Sequence, residues 1–503
     1  MNLVLSENKK FLIIESCTEA EYKQLKLSLT KKIDGWRFHP LVKKGVWDGT
    51  ICFVKGNRIP SGLWKEVRDI CNEYNFEYNV TGVTRLFNKH IDQEEFTLWC
   101  DDFFADLPFK PRYYQIDAAY KILKYRRCLA ELATSAGKTL ISYIVMAYLL
   151  KELQYEKILM IVPNVSLVLQ SSGDFEEYNN DKLNLKIQQV YSGAKIKKES
   201  NIVVGTFQSL VKMDQEFYDQ FDVVFVDETH KANSNSIQKI LDKLWHCDYR
   251  FGLSGTIAKK ETLSRLSLMS SLGPLVVQVK ASLLQEEGYI ANCHVTQIML
   301  NYATDSQREA FSNLHKKAFD RQKIFGLEQR FINESEKRLD WLCDYIDNLA
   351  TKNTLVLFHR IEYGEKIYDI LRNKKHNKVY FIDGSTKADF REEYRKRMEE
   401  NNDVILVASY GTLSTGVSIK AIYNIVFVES FKSDIIIKQS IGRGLRKNEN
   451  KDSVEIYDIV DDIRCNEEGH KWQNYIYRHG IERRRIYEEE NFPYDIKIIN
   501  LNK

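Results

Sequence analysis

Proline is scarce, 7 in 503 residues, so no long Pro-rich spacer separates modules. The 9 cysteines are odd in number and form no Cys-x-x-Cys pair. That excludes a disulfide framework and a ribbon-type zinc site, and leaves reduced thiols. No run of 18 apolar residues occurs, which argues against a membrane-spanning helix. The opening MNLVLSENKKFLII lacks the basic and then apolar pattern of a secretory leader, so an intracellular, cytoplasmic protein is expected. Low-complexity tracts and short fixed-period repeats are also absent. Charge of one sign is not in excess: 73 Lys and Arg stand against 70 Asp and Glu, a net +3, so only the distribution of charge is informative. What remains, 44% hydrophobic and 28% charged residues, is the composition of a folded globular chain, and its length predicts three or four domains.

Residues 1–105 read as a small α+β unit. A strand is expected over 11–15, a helix over 19–32, a strand over 50–54, and a helix from 63 to about 74 capped by Ser61. From about 110, short apolar runs alternate with amphipathic stretches: 128–130, 158–162, 202–204, 223–226 and 251–253. Continuous apolar runs of that length, separated by helices, predict buried parallel strands. Residues 304–350 read as a helical connector. The rhythm then restarts at 354–358, 378–382, 404–407, 425–428 and 454–456. The fold class expected is therefore α/β, with two parallel-sheet domains (106–303 and 351–460) after the small α+β domain and a helical tail over 461–503. Ligands of such folds gather at the carboxyl ends of the strands.

The first sheet carries a phosphate-binding pattern. The run ending at Leu132 is followed by Ala133-Thr134-Ser135-Ala136-Gly137-Lys138-Thr139 and then an apolar helix. Small residues let backbone N–H groups close around phosphate oxygens, and the helix start adds partial positive charge. Ser135, Ala136 and Gly137 would cradle the phosphates, Lys138 would reach the β- and γ-phosphates, and the Thr139 hydroxyl would ligate Mg²⁺. Leu132 stands where such loops usually begin with glycine. At the end of the apolar run 223–226 come Asp227 and Glu228. Asp227 suits the Mg²⁺ shell, and Glu228 suits polarisation of an attacking water.

The tetrapeptide Asp227-Glu228-Thr229-His230 resembles the DExH box of superfamily 2 helicases and translocases, and further segments follow in that family's order. Pro111 to Gln115 resembles its adenine-reading element, with Arg112 and Gln115 as binding residues. Pro163 and Asn164 resemble motif Ia, Thr206 and Gln208 motif Ib, and Ser254 with Thr256 motif III, which together with His230 couples hydrolysis to movement. His359 and Arg360 resemble motif IV; Thr412 and Gly416 lie in a stretch like motif V; Gln439, Arg443 and Arg446 form the QxxGRxxR of motif VI. The resemblance implies two RecA-like motor domains with a triphosphate at their seam. Lys138, Asp227, Glu228 and Gln439 would be catalytic, Arg443 and Arg446 would be arginine fingers, and motifs Ia, Ib, IV and V would face a nucleic-acid backbone. With its short motor and leading domain, the chain most resembles the recombination helicases of T-even phages. That implies an ATP- and Mg²⁺-dependent enzyme acting on forks, Holliday junctions and R-loops in recombination, repair and replication. Its partners would be branched DNA and RNA–DNA hybrids, in the host cytoplasm.

Residues 23–68 hold eleven basic against three acidic residues, +8 within a chain of +3, interleaved with Trp36, Phe38, Trp47, Phe53 and Trp64. Lys43, Lys44 and Trp36 are the candidate DNA contacts, since cations release counterions from phosphates and aromatics stack on bases. A solvated basic face over core tryptophans explains the same composition. In 461–503, Arg464, Arg478 and Arg483 to Arg485 either extend a DNA path or pack within a tail. Alternative readings of the whole are an RNA helicase, a restriction-type translocase subunit, and an ATP-switched annealing module.

Overall fold

The computed structural model describes residues 1–86, 91–107, 109–191, 199–229, 235–257, 262–317, 321–374, 378–413, 419–431, 433–447, 451–467 and 470–502. The chain divides into two units, Met1–Val279 and Lys280–Lys503. The expected break near residue 303 is corrected by this division. Strand Asn292–Asn301 pairs with Ser453–Asp461 and with Tyr494–Asn500, inside the second unit's sheet. The expected connector also belongs to that unit. Its helices are Asp305–Lys317, Arg321–Glu334 and Glu336–Leu349, and Leu342, Cys343 and Ile346 are buried in the second core.

In the first unit, seven parallel strands run in the order Leu275–Val279, Arg127–Leu132, Tyr249–Ser254, Val223–Asp227, Ile158–Val162, Ile202–Thr206 and Ile187–Val190. The two innermost runs, Ile158–Val162 and 223–226, are apolar because helices cover both faces of the sheet; Val223, Val224, Phe225 and Val226 are fully buried.

The leading region has its own four-stranded sheet, in the order Arg58–Pro60, Phe11–Ser16, Asn2–Leu5, Asn79–Thr81. Its first helix, Glu19–Ser28, opens with a Thr18/Glu21 capping box. It stops four residues short of the expected end. The Thr30 hydroxyl takes the Lys26 carbonyl, and Thr30–Lys32 pairs as a strand with Thr50–Cys52. Ser61 does not cap the next helix, Trp64–Glu73. It sits in a 3₁₀ turn, Ser61–Leu63, with its hydroxyl on the Lys9 carbonyl. The acidic stretch after residue 92 is a helix, Gln93–Phe103, whose Phe96 and Trp99 meet the Tyr148 ring edge to face.

This leading region is not separate from the first motor sheet. One hydrophobic cluster runs from Leu3, Leu12 and Leu25 through Leu63 and Val67 to Leu266, Met269 and Leu272. Lys9 pairs with Asp248 at 2.5 Å, and Arg127 donates to the Lys9 carbonyl at 2.8 Å. These contacts lie at the amino end of strand Arg127–Leu132.

The second unit holds seven parallel strands in the order Val379–Ile382, Ile405–Ser409, Thr354–Phe358, Asn424–Phe427, Ser453–Asp461, Asn292–Asn301 and Tyr494–Asn500. The tail expected to be helical supplies helix Tyr475–Glu489 and the edge strand Tyr494–Asn500. Of its arginines, Arg483 is fully buried and paired with Asp458 at 2.7 Å. Arg464 pairs with Asp462 at 2.8 Å. Both side chains are engaged in packing. Cys17, Cys52, Cys71, Cys100, Cys128, Cys247, Cys293 and Cys343 are free thiols. No described helix is long and apolar enough to cross a membrane.

Candidate active site

Because the first sheet is wholly parallel, its carboxyl ends bring separate motifs to one edge. In strand order these are the loop 133–137, Gly255 and Thr256, Glu228, Pro163 with Asn164, and the turn Phe207–Leu210. The phosphate loop ends at Gly137, which is left-handed (φ +80°) and precedes helix Lys138–Lys151. Ser135 is left-handed as well (φ +72°), an uncommon conformation for a residue with a side chain. The unbonded N–H groups of that helix's first turn are available to an anion.

Lys138 Nζ lies 3.3 Å from Glu228 Oε1. Glu228 has φ +52°, so the backbone turns sharply as it leaves the strand, and its N–H donates to Asp227 Oδ1 at 2.9 Å. Gly255 seats the lysine: a Cβ there would lie 3.4 Å from Lys138 Nζ and 3.5 Å from Thr134 Oγ1. The Ser254 hydroxyl ties motif III to itself, donating to the Thr256 carbonyl at 2.8 Å and accepting the Thr256 N–H at 3.2 Å. Glu131, in the strand before the phosphate loop, belongs to no sequence motif. Its carboxylate accepts the Ile257 N–H at 3.0 Å and so ties the strand before the phosphate loop to the segment after motif III.

Gln115 is 5% exposed. Its amide donates to the Ala136 carbonyl at 3.0 Å and accepts the Arg112 N–H at 2.8 Å. The Tyr114 hydroxyl donates to the same Ala136 carbonyl at 3.1 Å. In this structure the amide positions the phosphate loop.

A nucleotide and a divalent cation fit these residues. The Ser135 hydroxyl is buried with no hydrogen-bond partner among the described residues, inside a loop that presents N–H groups. Thr139 opens the helix beside Lys138. Among the described residues no cluster of three or more His, Cys, Asp or Glu could hold a metal ion by itself, so a cation here would rely on Thr139, Asp227 and the phosphates.

Motifs Ia and Ib sit on neighbouring strands, with Thr206 opposite Val162. Asn164 Oδ1 caps helix Val165–Asn179 through the Leu167 N–H. The Gln208 amide donates to the buried Pro163 carbonyl at 3.3 Å. The Thr206 hydroxyl turns inward onto Ser209.

In the second unit Glu429, 6% exposed, accepts the N–H groups of His359 at 2.6 Å and Arg360 at 2.8 Å. Those two side chains are exposed. The buried Thr412 hydroxyl bonds to Ser409 at 2.7 Å. Gln439 and Arg443 lie on helix Asp434–Gly444, with Arg446 just past it. His230 and Gly416 lie outside the described residues. In the leading domain Lys43 and Lys44 are exposed, while Trp36 is half-buried beneath the Lys32 ammonium, 3.6 Å from its ring.

Three family models match the chain: the type III restriction enzyme res subunit over residues 108–259, the helicase conserved C-terminal domain over 337–448, and the UvsW DNA helicase N-terminal region over 8–81. The chain is 31% identical to the ATP-dependent DNA helicase uvsW of Enterobacteria phage T4, over 96% of its own length and 97% of the relative's. The crystal structure of T4 UvsW matches 99% of both chains at 28% identity and a TM-score of 0.49. The type ISP restriction-modification enzyme LlaBIII bound to DNA shares the fold, with a TM-score of 0.56 at 16% identity over 78% of this chain and 32% of that one.

Proposed function

The chain belongs to the UvsW family of superfamily 2 helicases, and on that footing we propose that it is an ATP-driven DNA helicase whose substrates are branched: forks, four-way junctions and R-loops, met in the host cytoplasm during recombination and repair. The observation that carries the mechanism is the 3.3 Å pair between Lys138 and Glu228. A lysine that binds phosphate must leave that carboxylate. As the Lys138 ammonium turns to phosphate oxygens, Glu228 Oε1 is released to accept a hydrogen bond from the attacking water. Gly255 leaves room for the movement because it places no side chain against Nζ. Mg²⁺, held by Thr139 and Asp227, would neutralise charge on the transferred phosphoryl group.

Arg443 and Arg446 of motif VI are the residues proposed as arginine fingers. The backbone contacts made by Asn164, Gln208, His359 and Arg360 are to phosphates, so the motor reads little sequence.

The test is ATP hydrolysis by the full chain with single-stranded, duplex, forked and four-way DNA, and with RNA. Forked and four-way DNA are expected to stimulate most. Glu228→Gln is expected to lower the rate by about 10²–10⁴ while ATP still binds, and Lys138→Ala to lose both. Stronger stimulation by RNA would replace this reading with an RNA helicase. Full activity of Lys138→Ala would remove the site.

A further inference from the structure

A cavity of about 730 Å³ lies between the leading sheet and the first motor sheet, within the first unit. That volume is in the range of small-molecule sites. It is not part of the site described above. Arg127, which lines it, begins the strand whose other end, Leu132, enters the phosphate loop. The two ends are about five residue steps apart, roughly 16 Å of strand.

The lining is unusual in its charge. Lys10, Lys55, Arg58, Arg127 and Arg250 face a single carboxylate, Asp242, which lies 3.4 Å from Lys10. Arg127 and Arg250 are buried, 6% and 4% exposed. Their hydrogen bonds go to main-chain carbonyls: Lys9, Trp245 and Cys247 for Arg127, and Leu241 and Leu244 for Arg250. Neither has a carboxylate within ion-pair distance or a partner for its Nε among the described residues. Burial, reinforced by the neighbouring Arg250 guanidinium, pulls Arg127 down to about 9. Two adjacent buried cations hydrogen-bonded only to carbonyls, with Asp248 and Asp242 acting on them from beyond ion-pair distance, are costly, and an anion in the cavity offsets that cost for both. The remaining wall is aromatic, from Phe11, Phe53 and Trp245, and Arg58 already lies over the Phe11 ring at 5.8 Å. Strand Thr50–Cys52, which returns from the Lys43–Lys44 excursion, forms part of the rim.

We infer that this cavity binds one phosphorylated nucleoside, its phosphate beside Arg127, Arg250 and Arg58 and its base against Phe53 and Trp245. Two sources share that chemistry: a free nucleotide, or a single unpaired nucleotide of the strand the enzyme holds. The second source rests on the DNA-helicase reading above; the first does not.

The experiment is titration calorimetry on the full chain with its ATP site saturated by ADP, using dAMP, inorganic phosphate and a 5′-phosphorylated single-stranded trinucleotide as probes. One further site for dAMP or the trinucleotide is expected, with inorganic phosphate binding at least tenfold more weakly because it has no base. Arg58 is exposed, and Arg58→Glu is expected to weaken binding at least tenfold without unfolding the chain. Phe53→Ala is expected to weaken the two nucleotide probes and leave inorganic phosphate unmoved. Binding of dAMP identifies a free-nucleotide site; binding of the trinucleotide alone identifies a strand-held nucleotide. If no probe binds beyond the ADP site, or binding is unchanged in Arg58→Glu, the inference falls. Loss of ATPase stimulation by DNA in the same preparation would instead count against the helicase reading.

Discussion

Gly137 and Gln115 are expected to behave as one energetic unit, and the structure gives the size of the effect. Gly137 has φ +80°, and a Cβ built on it would stand 2.3 Å from Gln115 Nε2. Two costs follow for Gly137→Ala. The left-handed conformation costs a residue with a side chain about 1–2 kcal/mol. The Gln115 amide must also swing away, giving up its bonds to the Ala136 carbonyl and the Arg112 N–H. In a site where Gln115 is 5% exposed, that loss is worth about 1–3 kcal/mol. The single substitution should therefore cost about 2–5 kcal/mol. In a Gln115→Ala background the obstruction is gone and only the backbone term of about 1–2 kcal/mol remains. The coupling in a double-mutant cycle is then about 1–3 kcal/mol. Urea unfolding followed in the first unit gives the four stabilities, and ATP-analogue affinity gives a parallel cycle for the loop's function. Equal costs of Gly137→Ala in both backgrounds would refute the claim that Gln115 holds the phosphate loop.

Gly62→Ala is expected to loosen the leading domain: a Cβ there would lie 2.0 Å from the Met269 carbonyl oxygen, which cannot swing aside as a side chain can, so a loss of about 1–3 kcal/mol and faster proteolysis near residue 62 should be seen; wild-type melting would count against a shared core. Glu429→Ala should cost the second unit about 1.5–3 kcal/mol by stranding the His359 and Arg360 N–H groups, while Glu429→Gln, which keeps an acceptor, should recover part of it in the same unfolding assay. Glu328 gives a pH dependence. Burial raises its carboxyl to about 8, against the opposing pull of the Tyr475 and Ile476 N–H groups, while burial lowers its partner His315 to about 4. Below about 6.5 the two effects on stability oppose each other: the folded state holds an extra proton on Glu328 and lacks one on His315. Between about 6.5 and 8 only Glu328 contributes, the folded state binds more protons than the unfolded, and stability should fall as pH rises, by up to about 2 kcal/mol. Glu328→Gln should flatten that slope in melting curves taken from pH 6.5 to 8, and an unchanged slope would place its origin elsewhere.

The strands legible in the sequence are those buried on both faces. Thr354–Phe358 falls where its apolar run predicts, and Ile158–Val162 likewise. The strands missed lack such a run for physical reasons. Ile187–Val190 and Tyr494–Asn500 are sheet edges, so polar residues such as Gln189, Asp495 and Lys497 alternate through them. Asn292–Asn301 is interior, yet it carries Thr296 and Gln297. Gln297 is tolerated there because its amide donates to Asp458 at 2.7 Å and to the Gly480 carbonyl at 3.0 Å, partners separated from it by most of the second unit's sequence. Hiding that strand from the sequence also displaced the expected domain boundary. The site was more legible than its supports. The pattern of an acid directly after four apolar residues exposes Asp227, and the same pattern at 425–428 points to Glu429, although Glu429 stands in no motif.

Charge counting over 23–68 could not separate cations that hold the leading domain together from cations free to meet a ligand, and the structure divides them by position. Lys32 is spent over Trp36 and Arg68 beside Asp69 at 3.0 Å, whereas Lys43 and Lys44 stand exposed on the excursion. The more consequential cation lies outside that stretch. Arg127 fixes the leading domain through the Lys9 carbonyl and begins the strand that ends at the phosphate loop. A strand paired on both sides, by Leu275–Val279 and Tyr249–Ser254, resists bending. Displacement at one end is therefore carried to the other as a rigid shift. On this geometry the leading domain acts as a fixed extension of the first motor sheet, and Arg127→Met should uncouple the two. DNA-stimulated ATP hydrolysis should fall while the DNA-independent rate is retained, and a proportional loss of both rates would show that Arg127 serves only the stability of the fold.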